Sequence, residues 1–353
     1  MSSGGRRGAQ SNHAGRFETH AREMVDDGWE TLAEPLPAVA TTLAPRKARS
    51  IISYNTSPDL NFDRSINPYQ GCEHGCIYCF ARPTHAYLNL SPGLDFETRL
   101  FYKPNAAEVL DAELRKPGYV PARIVLGANT DAYQPAERGL RITRSILEVL
   151  AAFHHPVTIV TKSQLVERDL DILVPMAAQG LASVCVSITT LDAALKRDLE
   201  PRAAAPVARL RAVRSLADAG IPVTVLFAPV IPFVNDAEME RVLQAAAAAG
   251  ATGAGYIFLR LPREVAPLFR EWLGARYPLK AAHVMRLVRA ARGGQDYEAA
   301  FGTRMRGQGA YAELLAQRFR VACTRFGLHG RTAALRTDRF AVPPRRGDQL
   351  ALW

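Results

Sequence analysis

A chain of 353 residues, 48% hydrophobic and 22% charged, is long enough to bury one large core, or one core with a smaller appendage. No run of about 18 apolar residues occurs, and the opening residues lack an apolar segment of signal-peptide type, so the expectation is a cytoplasmic protein with no membrane partner. The formal net charge of +10 is concentrated at one end: residues 261–353 carry 17 Lys and Arg against 7 Asp and Glu, while the preceding 260 residues balance at 27 against 27. That asymmetry fits a cationic face for DNA, RNA or another polyanion. The alternative is compositional, since only 6 of the 44 basic residues are Lys.

Residues 1–50 mix Gly, Ser, Arg, Pro and Ala and are read as a mobile N-terminal arm, with one short helix over 17–32. From residue 51 apolar runs alternate with stretches of helical length. The runs are 122–126, 157–160, 182–188, 223–228 and 254–258; between them lie 138–153, 166–179, 205–219 and 236–250. Strands followed by helices in this order predict βα units and a parallel sheet, either a curved barrel or an open doubly wound sheet. No GxGxxG opens a helix after a strand, which argues against a dinucleotide-binding sheet. After the 51–263 core, helices are expected over 262–292 and 309–326, within a small basic helical appendage spanning 264–342. A polar linker begins at 343 and leads to the tail Gln349-Leu350-Ala351-Leu352-Trp353.

Five cysteines, three of them within eight positions, do not make a disulfide framework and read instead as metal ligands. Cys72, Cys76 and Cys79 stand in a CxxxCxxC spacing on a loop softened by Gly71 and Gly75. Three thiolates so placed can ligate three irons of one cubane and leave the fourth open. His74 is the residue that would complete a structural zinc site in the alternative reading.

The segment NPYQGCEHGCIYCFAR, with Tyr78 before the last cysteine, resembles the signature of radical S-adenosylmethionine enzymes. Its wider wording is similar to the branch related to spore photoproduct lyase, a DNA repair enzyme. The resemblance covers residues 51–263 and implies an α/β fold, a partial (β/α)6 barrel with the cysteine loop after its first strand. It also implies a [4Fe-4S] cluster and S-adenosyl-L-methionine as cofactors, with reductive cleavage to a 5′-deoxyadenosyl radical, and an electron donor such as flavodoxin or ferredoxin.

The same resemblance implies roles for particular residues. Asn129, Thr130 and Asp131, after the second strand, would meet the methionine ammonium, and Lys162, after the third, would reach the cosubstrate. Ser187 would meet the ribose. Glu200 and Arg202 would lie near the ribose and carboxylate, where Arg202 can donate two parallel hydrogen bonds. Tyr78 and Phe80 would flank the adenine. Where the lyase branch carries a further cysteine as hydrogen donor, this chain has Ala128 and Asn129. The implication is therefore the reaction class and not that one repair. Tyr133 and Cys185 are the hydrogen-transfer candidates, Cys185 because it shares a strand face with Ser187; a small buried core residue is the alternative for Cys185.

Finally, Gln349, Leu350, Leu352 and Trp353 resemble the peptide by which bacterial DNA enzymes dock on the replication sliding clamp, an extended tail that inserts apolar side chains into a cleft. The expected function is radical chemistry on nucleic acid, as repair or base modification. The alternatives are a protein or small-molecule substrate, or a nucleic-acid-binding protein with a structural cluster.

Overall fold

The computed structural model describes residues 7–18, 40–329 and 334–344. Its strands are β1 (Thr42–Pro45), β2 (Ile52–Tyr54), β3 (Arg64–Ile66), β4 (Tyr69–Gln70), β5 (Arg99–Tyr102), β6 (Ile124–Leu126), β7 (Val157–Thr161), β8 (Ala182–Ser187), β9 (Val223–Val230) and β10 (Gly253–Phe258). Six of them form a continuous parallel array in the order β3-β6-β7-β8-β9-β10, and β2 adds antiparallel to β3. With β2 and β10 at its edges the sheet is a partial barrel. A second sheet, β1-β5-β4, sits beside the start of the array.

Strand register explains how one sheet serves two purposes. Paired positions share a face because side chains alternate along each strand. On one face Ile66, Leu126, Ile159, Val184 and Val223 align and join the main apolar core. That core is closed by helices Ile142–Ala152, Leu170–Ala178, Pro206–Asp218 and Met239–Ala248, whose buried stripes include Ile146, Leu173, Val213 and Leu243. The opposite face aligns Ser65, Val125, Thr158 and Ser183 in one layer, then Val160, Cys185 and Thr224, then Ser187, Leu226 and Gly255. Small and hydroxyl-bearing side chains predominate there. Val160 and Leu226 are half-exposed although their strands are central, as is Gly255 on the edge strand β10, so this inner face is accessible in part.

All five apolar runs are strands, and the helices between them follow to within a few residues. The first barrel strand, β3, was not legible: Arg64-Ser65-Ile66 has one aliphatic residue and is too short for an apolar run. The C-terminal region is more than an appendage. Helices Val265–Arg276 and Pro278–Ala290 bury Phe269, Trp272 and Val288 in a second core that also holds Cys76, Ile77 and Tyr78. Helix Ala310–Phe326 packs on Met239–Ala248 through Leu315 and Ala322 in the main core. No described helix is long and apolar enough to cross a membrane.

The described part of the N-terminal region is also anchored. β1 pairs with β5, and Gly8 and Ala9 are buried. The expected helix over 17–32 falls mostly outside the described residues. Near the C-terminus, residues 334–344 return to the first helices: Ala341 N donates to Phe153 O at 3.1 Å, and the Phe340 ring packs edge-on against His155 at 5.6 Å. His155 is fully buried, with Nε2 2.8 Å from Tyr119 Oη.

Burial, reinforced by Arg64, holds the His155 imidazole down at about 4, against an ordinary value of 6.5. The unfolded chain therefore binds a proton that the folded chain refuses. Stability present at pH 7 should fall as the pH drops from about 6.5 toward 4, by on the order of 3 kcal/mol. Urea unfolding across that window should show this slope in the wild type and lose that part of it in His155→Gln.

Candidate cofactor site

The three clustered cysteines lie on the loop after β3, at the end of the barrel where the βα connections gather. Positive φ at Gly71 and Gly75 is required on steric grounds as well. A Cβ at Gly71 would lie 2.5 Å from Leu100 Cδ2 and 2.9 Å from Phe96 O, and one at Gly75 would lie 2.6 Å from Glu97 Oε2. Backbone bonds then fold the loop on itself, Gly75 N to Cys72 O at 3.3 Å and Cys79 N to Cys76 O at 3.2 Å. Ile77 N ties it to Leu199 O.

Beneath the loop Arg82 and Glu97 form a fully buried ion pair at 2.5 Å. Arg82 also donates to the carbonyls of Cys76, Gly75, Pro92 and Gly93. Glu97 accepts from Gly8 N and Ala9 N, each at 2.8 Å. Residues 7–18 thus form a strap over the cysteine loop, held further by Ser11 on Glu271 at 2.6 Å and Arg16 on Glu264 at 2.9 Å. Gly8 has no alternative, because a Cβ there would meet Gly75 O at 1.7 Å.

Cys72 and Cys76 are buried, Cys79 is half-buried, and all are free thiols. Burial pushes their pKa values up, Cys76 to about 12, where nearby Glu200 adds to the effect and Lys162 opposes it. Cys72 is raised by burial, then by Asp131 and by the other two thiols. Three soft donors in so poorly hydrated a place fit an iron-sulfur cluster, whose positive charge would stabilise the thiolates. Among the described residues no three His, Cys, Asp or Glu side chains, the clustered cysteines included, are drawn together on one ion. His74 Nδ1 instead lies 3.4 Å from Asp131 Oδ2.

Around the thiols the structure gathers Tyr78, Glu200, Ser187 and Lys162. The hydroxyl of Tyr78 donates to Glu200, and Thr189 Oγ1 donates to the same carboxylate oxygen at 2.6 Å. The other Glu200 oxygen is paired with Arg209, which also donates to Ser187 O and Ala204 O at 2.9 Å. Burial alone would raise Glu200; Arg209 and Lys162 outweigh it and hold the carboxyl at about 2. The Lys162 side chain forms no hydrogen bond or ion pair among the described residues, its backbone N–H alone donating to Asp131. Burial disfavours its charge, but Cys76 and Glu200 more than compensate and keep it an ammonium. Arg202 is bonded to Glu73 at 2.9 Å, while its Nε has no acceptor.

Other expected site residues are occupied within the protein. Asp131 accepts from Thr161 Oγ1 and Lys162 N, each at 2.7 Å, and from Tyr133 N, so it fastens the β6 and β7 loops together. Thr130 Oγ1 donates to Tyr69 O, whereas Asn129 is exposed and held only through its backbone by Asn67. Tyr133 is a correction: it has no exposure and its hydroxyl donates to Asp169 at 2.9 Å, so it braces the core and does not face the thiols. Cys185 does lie on the inner face, one layer below Ser187, with burial raising its thiol to about 11. Phe80 is 42% exposed and stacks under Arg260. Sequence reading missed Arg209, Arg82 and Glu97, because nothing distinguishes them from the other charges on their segments. The tail residues Gln349, Leu350, Leu352 and Trp353 lie outside the described residues.

A profile of the radical SAM superfamily matches residues 66–246, the span from the end of β3 to the helix before β10. The chain belongs to the radical SAM superfamily. An uncharacterised protein of Mycobacterium tuberculosis is 40% identical over 232 residues, covering 65% of this chain and 68% of the relative. One of Methanocaldococcus jannaschii is 29% identical over 173 residues, 49% of this chain and 62% of the relative. Among solved structures, a spore photoproduct lyase mutant superposes with a TM-score of 0.57 at 18% identity, over 80% of this chain and 79% of that one. The same lyase complexed with dinucleoside spore photoproduct gives 0.56 at the same identity and coverage. At that identity the likeness establishes a shared fold. Membership of the superfamily makes this chain an enzyme that uses S-adenosylmethionine and an iron-sulfur cluster.

The strap generates a prediction. Glu97→Gln leaves Arg82 buried without its counter-charge and weakens the hold on Gly8 and Ala9. It should cost about 3 kcal/mol in denaturant unfolding and speed tryptic cleavage after Arg16 well before global unfolding.

Proposed function

We propose that this radical SAM enzyme holds a [4Fe-4S] cluster on Cys72, Cys76 and Cys79 and acts on nucleic acid, as a repair or base-modifying enzyme. The observation that carries the cluster assignment is three free thiols together on one loop, two buried and one half-buried, with no fourth cysteine beside them in the sequence. The cofactors would supply a one-electron cleavage of S-adenosylmethionine and a carbon-centred oxidant for hydrogen abstraction.

The chain's own residues would bind and shield. Lys162 and Arg202 offer cationic donors to the cosubstrate carboxylate, and Arg202 Nε is free to take an acceptor. Glu200, kept ionised by Arg209, orients Tyr78 against the loop. Ser187 on the inner face is placed for a ribose hydroxyl. Asp131 and Thr130 would position the loop after β6, leaving Asn129 as the group free to meet the ammonium. Cys185 remains the thiol on the lumen wall able to return a hydrogen atom to a product radical.

The nucleic-acid reading is supported by the excess positive charge of residues 261–353 and by the small side chains of the barrel's inner face, which suit an extruded base. We read the tail as a sliding-clamp peptide, the reductant as flavodoxin or ferredoxin, and the enzyme as cytoplasmic.

The test is anaerobic iron-sulfur reconstitution, dithionite reduction with S-adenosylmethionine, and chromatography for 5′-deoxyadenosine. The wild type should form it. Cys76→Ala should fall to background with an unchanged far-ultraviolet circular dichroism spectrum. A protein that holds zinc, or a variant that still cleaves the cosubstrate, would defeat the assignment.

A further inference from the structure

Two residues beyond the end of β10 the chain places Arg260 beside the cysteine loop. Its guanidinium carbon lies 5.3 Å from the centre of the Phe80 ring and 6.0 Å from that of Tyr297. Its nitrogens donate to Tyr297 Oη at 3.3 Å and reach Met305 Sδ at 3.5 Å, both weak acceptors, and its Nε is buried with no acceptor. Arg260 forms no ion pair among the described residues. Asp59, a carboxylate on which its charge acts, is already taken by Arg304 at 2.5 Å and by Gly302 N at 2.7 Å.

A second guanidinium deepens the imbalance. Arg292 is 1% exposed and bonded only to carbonyls, those of Leu259, Phe258, Thr303 and Arg304. Its Nε likewise has no acceptor. Burial and the charge of Arg260 together depress it to about 10. Two arginines without carboxylates, close enough to repel each other at the mouth of the barrel, form a site that an anion would relieve. Phe80 packs one face of the Arg260 guanidinium, and its two terminal nitrogens hold only the weak acceptors Tyr297 and Met305, which an anion's oxygens would displace.

We propose that Arg260 binds a phosphodiester of the nucleic-acid strand presented to the barrel mouth, with the half-exposed faces of Phe80 and Tyr297 available to flanking bases. This rests on the nucleic-acid reading and assigns to it a contact point. Charge and aromatic surface are found together at the rim, as a single strand requires: cations follow its backbone and ring faces take its bases.

The probe is a fluorescein-labelled single-stranded DNA of about 12 nucleotides, titrated by anisotropy against the reconstituted full chain over a series of salt concentrations. Arg260→Gln should weaken binding about tenfold and reduce the log–log salt slope by about 0.7, one phosphate contact on a single strand. Arg260→Lys, which keeps the charge but not the fork, should recover the slope and only part of the affinity. Arg211→Gln, which removes an exposed charge of helix Pro206–Asp218 outside the basic span, should stay within about twofold of wild type. Wild-type affinity and slope in Arg260→Gln would overturn the contact while leaving the nucleic-acid reading standing. Failure of the wild type to bind DNA or the equivalent RNA would overturn both.

Discussion

The cysteine loop has little secondary structure of its own, so its shape has to be imposed from below. Arg82 does this by satisfying four carbonyls around the loop with one guanidinium. A charge so completely removed from water is tolerable only against Glu97, which is as deeply buried. The pair costs more to desolvate than an apolar contact of equal size. What it supplies is geometry: a planar fork whose bonds fix where Gly75 and Cys76 must lie, and hence where the thiols sit.

A second buried pair, Glu200 with Arg209, plays the matching part on the strand side. Arg209 reaches from its helix to the carbonyl of Ser187, so the end of β8, the Glu200 carboxylate and Tyr78 move as one unit. The loop is therefore clamped from two directions, by Arg82 within its own segment and by Tyr78 across the barrel mouth. Lys162 and Arg202 keep donors to spare, and as cations both suit the carboxylate end of a zwitterion and not its ammonium.

Much of this was legible in the sequence and some of it was not, for physical reasons. The central strands could be read because both of their neighbours are strands, which leaves uninterrupted aliphatic runs such as those of β7 and β8. β3 could not, since it is paired over only three residues with each of its neighbours β2 and β6. The cysteines announced themselves through spacing. Tyr133 was misread because a buried phenol and a reactive one look alike until the position of Asp169 is known. The N-terminal region was read as a mobile arm since Gly and Ser usually mark a lack of packing. Here Gly8 is needed because packing is so close that no side chain fits.

The strap also fixes an order of events. Gly8 and Ala9 are bonded to a carboxylate nearly ninety positions later in the chain, so this segment has nothing to bind until the cysteine loop and its foundation exist. Closing so long a loop is entropically costly, and the gain is a few amide contacts at the surface of a finished core. The strap is thus the last piece to settle and the cheapest to lift. A chain built this way completes its thiol cradle before covering it, leaving an interval in assembly when the cradle can be loaded and a final step that shuts water out.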